Sequence, residues 1–158
     1  MKEIREFKSF KEMKETHQQE VNDFPFIFTF AFSDKEFIEK MAEAIQKRKP
    51  KCTGITTMEG IAKHVRGIGA GGYVFHEDYP TMIEMFDRHE KERKLLSESE
   101  KKLEEMILFE MFNHEYGYTR DPYDTLMALG KTYEDLENDS QFRSIWKKAE
   151  RKCFKYDE

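Results

Sequence analysis

Cysteine is nearly missing from this chain. Its two copies, Cys52 and Cys153, stand about a hundred positions apart in 158 residues with no CxxC spacing, which excludes a disulfide framework and a cysteine zinc site and reads as two thiols in a reducing compartment. Proline is scarce too, with four copies, so little interrupts helical stretches. No run approaches the roughly 18 apolar residues of a membrane span, and the opening "MKEIREFKSFKEMKETHQQEV" is charged where a signal peptide is apolar. A soluble, cytoplasmic protein is expected. Basic charge is not in excess: 27 Lys and Arg meet 32 Asp and Glu, a net charge of −5, which speaks against a general nucleic-acid binder. GxSxG and HExxH are absent as well.

What the chain has in quantity is aromatic residues, 14 Phe and 7 Tyr, within 38% apolar content. That is enough to fill a core without covalent staples, and too much for a disordered chain. With no repeat and no low-complexity linker, residues 1–158 read as one domain.

Residues 2–22 have helical composition, with Ile4, Phe7, Phe10 and Met13 spaced by threes. Pro25 opens "FIFTFAF", and residues 26–32 read as a buried central strand because apolar side chains occupy both of its faces. Ser33 with Glu36 forms a capping-box signature for a helix over 34–48, stopped by Pro50. Residues 52–75 are glycine-rich and read as strand and loop, with a strand at Tyr73–Phe75. From Pro80 to Tyr116 the pattern is helical, weakest at "LSESEKK", and predicts an antiparallel helical pair over 80–116 with Gly117 as a left-handed cap. Three short helices follow between 122 and 153, the last carrying Phe142, Ile145, Trp146, Ala149 and Cys153 on one face. The expected fold is a mostly helical α+β domain with two or three strands.

Charge is segregated near the end. Between Glu115 and Asp139 seven acids face only Arg120 and Lys131, whereas Arg143, Lys147, Lys148, Arg151, Lys152 and Lys155 crowd the last helix. Glu110 and His114 are four apart and share a helix face; an antiparallel helical pair would bring His89 level with them, a candidate metal triad with Glu115 as base for a hydrolase. The bland account is an i, i+4 side-chain pair at a helix end. Gly67 to Gly72 runs into a strand instead of opening a helix, which favours a tight turn over a phosphate loop. The basic last helix can be read as a DNA-recognition helix, or as an amphipathic closing helix whose charges complement its dipole.

The strings "FPFIFTFAFSDKEF", "GIGAGGYVFHEDYP" and "EMFNHEYGYTRDPYDTLMALGKTYEDL" resemble a set of small uncharacterised proteins encoded in phages and integrated mobile elements, matching at Phe24 to Ser33, Gly69 to Phe75, Asn113 to Tyr116 and Ala128 to Thr132. Lys131 stands where the set leads one to expect an apolar residue. The resemblance implies a genomic setting and no mechanism.

The reading that joins these observations is a non-enzymatic accessory protein without a cofactor that binds a host or phage protein. Its candidate contact residues are Asn113, His114, Glu115, Tyr116, Tyr118, Asp121, Tyr123 and Asp124, since aromatic anchors in a charged setting suit partner surfaces. The alternatives are a small metal-dependent hydrolase on His89, Glu110 and His114, and a DNA-binding regulator using the last helix.

Overall fold

The sheet is built around Gly72–Phe75 (β3), which pairs antiparallel with Ile27–Phe28 (β1) on one side and Val65–Gly69 (β2) on the other. The structure, a computed structural model, describes residues 2–156 and is a mostly helical α+β fold with this one small sheet among the described residues. Two compact units make it up: Gln18–Asp87, and Lys2–His17 together with the chain from Arg88 onward. No helix among the described residues is long and apolar enough to cross a membrane.

The first unit holds the sheet, the last turns of the helix Phe10–Asp23 (α1), the helices Asp34–Arg48 (α2) and Met58–Ala62 (α3), and the start of Tyr79–Ser97 (α4). The aromatic run 26–32 is not the buried central strand that its composition suggests. It is an edge, two residues of it are strand, and Phe28, Phe30 and Phe32 point into solvent while Ile27 packs inward. The centre belongs to β3, where Val74 and Phe75 are buried. A core of Met41, Ile45, Ile61, Val65 and Phe75 joins α2 and α3 to the sheet.

Ser33 caps α2 by accepting from the Glu36 N–H. Glu36 does not return the bond to Ser33; its carboxylate accepts from the N–H of Phe32, one residue earlier. The glycine-rich stretch contains a short helix, α3, capped by Thr57, and then the tight β2–β3 turn.

In the second unit, residues 2–9 are not helical; α1 begins at Phe10, with the Ser9 hydroxyl accepting from the Glu12 N–H. Phe7, Phe10 and Met13 bury against Leu96 and Met106. The helical pair divides at Glu98–Ser99 into α4 and Glu100–Asn113 (α5), Ser99 capping the latter. Short helices follow at Tyr116–Thr119 (α6), Tyr123–Ala128 (α7) and Tyr133–Asn138 (α8), and Ser140–Tyr156 (α9) closes the chain. The partner of α5 is α9, not α4. Ile107, Met111, Leu126, Ile145 and Trp146 fill the space between these helices, and truncating a buried aromatic of this kind costs about 3–5 kcal/mol.

Candidate functional site

The turn after α5 is held from inside. Glu115 and Arg120, both non-glycine, adopt left-handed backbone angles at φ 54° and 61° on either side of α6. Such positions cost energy and persist only where surrounding contacts impose them. The contacts here come from Tyr116, whose ring stacks on Phe154 and meets Trp146 edge-on, and whose hydroxyl donates to Glu150 at 2.6 Å. Burial, then the bond to Glu150, raises the Tyr116 phenol well above its usual pKa. Tyr116 is therefore a core anchor and not a partner-facing residue. Gly117 lies inside α6 and is not left-handed, so the cap expected of it is supplied by Glu115.

Around that anchor the surface is aromatic and acidic. Met111, Phe112, Glu115, Gly117 and Tyr118 line a shallow groove of about 420 Å³, with Tyr118 89% exposed. Asp121 accepts from the N–H of Tyr123 and from the hydroxyl of Tyr133. Desolvation, then the bond to Asp121, raises the Tyr133 phenol pKa. Tyr123, Asp124, Met127 and Tyr133 are exposed on α7 and α8. Asn113 is exposed and His114 half-buried at the end of α5.

The two cations of the acidic segment are turned onto rings. The Arg120 guanidinium lies 3.7 Å from the Phe154 ring centre, and Lys131 Nζ lies 5.3 Å from that of Phe142, placements in which a cation is held by the ring quadrupole. Since Glu115–Asp139 carries the whole of the chain's acidic excess, this face presents carboxylates and phenols, with its two cations resting against rings.

The metal triad does not assemble. Glu110 and His114 do meet, at 3.4 Å, but His89 is elsewhere because α5 packs along α9, so no antiparallel α4–α5 pair brings it level. Among the described residues, the grouping of potential ligands is His17, His89 and Glu92. Glu92 is fully buried and accepts from the Arg5 backbone N–H at 2.8 Å, Arg5 Nε at 2.7 Å, Arg5 Nη2 at 3.0 Å and His17 Nε2 at 2.9 Å. Arg88 Nε lies 3.9 Å away. Burial pushes the Glu92 carboxyl up, but the Arg5 bonds and then the His17 bond outweigh it and bring the pKa down to about 2. The rings of His17 and His89 stack 13° from parallel. Two guanidinium groups beside an already saturated carboxylate, with stacked imidazoles whose in-plane lone pairs do not converge, make a salt-bridged network and not a cation site.

Sequence reasoning missed this network, although a signal for it exists. Met82, Met85, His89, Glu92 and Leu96 are all buried and follow one another at alternating steps of three and four, so the buried stripe of α4 runs straight through a histidine and a glutamate.

The basic face of α9 is present, with Lys148, Arg151, Lys152 and Lys155 beside Glu104. At its N-terminus, where a recognition helix places its readers, Gln141 donates to Glu100 and Arg143 to the Glu137 carbonyl.

The model of a family of unknown function, DUF7659, matches residues 9–152. This chain belongs to that family. The DUF7659 match takes in the acidic aromatic face and His17, His89 and Glu92, and it begins after Arg5. No curated protein and no solved structure matches the chain.

Proposed function

We propose that this protein is a non-catalytic binding protein whose acidic, tyrosine-bearing face docks a basic segment of a protein partner. The observation that carries the reading is the grouping of Glu115, Asp121, Asp124 and Glu134 with exposed Tyr118, Tyr123, Met127 and Tyr133, while the two cations of the segment, Arg120 and Lys131, lie against the rings of Phe154 and Phe142. Aromatic and methionine side chains supply contact area at interfaces, and the carboxylates steer a positively charged partner at long range. The same charge repels nucleic acid. The phage and mobile-element resemblance supports a host-encoded partner, a defence or regulatory component whose own contact surface is basic.

The experiment uses fluorescently labelled Lys/Arg-rich peptides and polarisation titrations of the full chain. Binding is expected to weaken with salt. It should be abolished by Asp121→Lys/Asp124→Lys/Glu134→Lys, weakened by Tyr118→Ala, which leaves the charge intact, and unchanged by a control reversal of Glu39 and Glu43. Equal binding by wild type and the triple reversal refutes the reading, and loss confined to charge, with Tyr118→Ala silent, reduces it to nonspecific attraction.

A further inference from the structure

We propose that the protein self-associates through the aromatic edge of its sheet, the occupant of that surface being a second copy of the chain. This goes beyond the acidic docking face and concerns the other compact unit. Phe28, Phe30 and Phe32 occupy every second position and are 62%, 77% and 103% exposed. Phe28 continues an aromatic cluster: Phe24 meets Phe26 at 4.7 Å between ring centres, and Phe26 meets Phe28 at 6.0 Å and Phe86 at 6.4 Å. The glycine turn is its floor. A Cβ on Gly72 would stand 3.0 Å from Phe28 and 3.1 Å from Ile68, so the Phe28 ring lies where this glycine has no side chain, and Phe30 sits at van der Waals distance over Gly71. On its open side β1 has no partner strand among the described residues; the Phe30 carbonyl accepts from Lys40 and the Phe32 N–H donates to Glu36, so the rings and not a strand pairing make the contact.

The area decides between an idle patch and an interface. At roughly 200 Å² for a whole phenylalanine, the three rings present about 480 Å², and part-exposed Phe86 and Ile68 bring this to about 600 Å². That is the upper end of what a monomer displays. Doubled across a two-fold axis it reaches about 1,200 Å², where specific interfaces begin. A two-fold contact needs a patch that complements itself. An uncharged row of like rings does so: antiparallel alignment about Phe30 sets Phe28 of one copy against Phe32 of the other. The neighbouring groove, lined by Lys40, Glu43 and Lys47 of α2 along Ile27 to Phe30, gives the row the polar rim of such contacts.

Sedimentation velocity of the full chain, from about 1 to 200 µM, tests this against Phe30→Asp and Phe32→Asp. The wild type should shift from monomer to dimer with concentration, and each variant should weaken the dimer at least about tenfold. Phe32→Asp should leave thermal unfolding followed by circular dichroism unchanged, because its side chain lies wholly in solvent; it decides the matter if Phe30→Asp does not fold. A wild type that stays monomeric across the range overturns the proposal, as does a dimer that Phe32→Asp leaves intact.

Discussion

The imidazole of His17 lies flat on that of His89, ring centres 3.8 Å apart, and reaches Glu92 with Nε2. Arg5, Arg88 and Arg93 stand around the same carboxylate or act on the same ring. Burial lowers the His17 pKa from 6.5 against the pull of Glu92. The unfolded chain therefore takes up a proton near pH 6.5 that the folded chain accepts only in stronger acid, and stability falls as pH drops below about 6.5. Glu92 acts in the same direction lower down. Its carboxyl titrates near 4.5 when unfolded and about 2 when folded, so a contribution of roughly 3 kcal/mol is complete above pH 4.5 and is lost as pH falls toward 2. Thermal unfolding by circular dichroism should show two successive losses on acidification from pH 7.5. A midpoint that is flat between pH 6.5 and 5 contradicts the first, and one that is flat below 4.5 contradicts the second.

Arg5 should matter far more than its place in an extended N-terminal segment suggests. Arg5→Ala removes the two side-chain donors, Nε and Nη2, from a fully buried carboxylate and leaves it the Arg5 backbone N–H and His17. Breaking one side of a buried ion pair costs about 3–5 kcal/mol. The exposed Arg93–Glu90 pair is the comparison, and Arg93→Ala should cost under about 1 kcal/mol. Urea unfolding followed by Trp146 fluorescence measures both. Equal effects would mean that the Glu92 network is not a stability determinant.

Glu115→Gly should stabilise the protein. A residue with a Cβ at φ 54° carries a conformational penalty that glycine does not, and after allowance for the greater freedom of glycine in the unfolded chain the net gain is up to about 1 kcal/mol. Gly117→Ala should not show the penalty of a left-handed glycine, because Gly117 is not at a positive φ. The same urea titrations apply, and destabilisation by Glu115→Gly would show that its side chain holds the turn.

Local signals in the sequence located most helices. Ser33, Thr132 with Asp135, and Gly130 mark ends that the structure places there, Thr132 and Asp135 as a full capping box, and the buried face of α9 is the one its 3.6-residue spacing gives. What the sequence concealed is non-local. An aromatic run looks the same at the centre or the edge of a sheet; only its pairing with β3 turns Phe28 outward and Ile27 in. Gly72 reads as turn chemistry, and its role of clearing room for Phe28 and Ile68 requires strands far apart in sequence to be in register. The exposed Tyr118, Tyr123 and Asp121 were visible as candidates, whereas burial of Tyr116 follows from Trp146 and Phe154 on α9. The triad alternative sets His89 beside Glu110 and His114, and the structure sets it beside His17 and Glu92, because the choice of α9 as the partner of α5 leaves no mark on either helix alone.

Arg5 and Glu92 are 87 positions apart. Contacts of such long range close only after the entropy of a large loop has been overcome, and they slow folding relative to local helix formation. Until Glu92 has been synthesised, Arg5 has no carboxylate to dock against, so the anchoring of residues 5–9 cannot be an early local event.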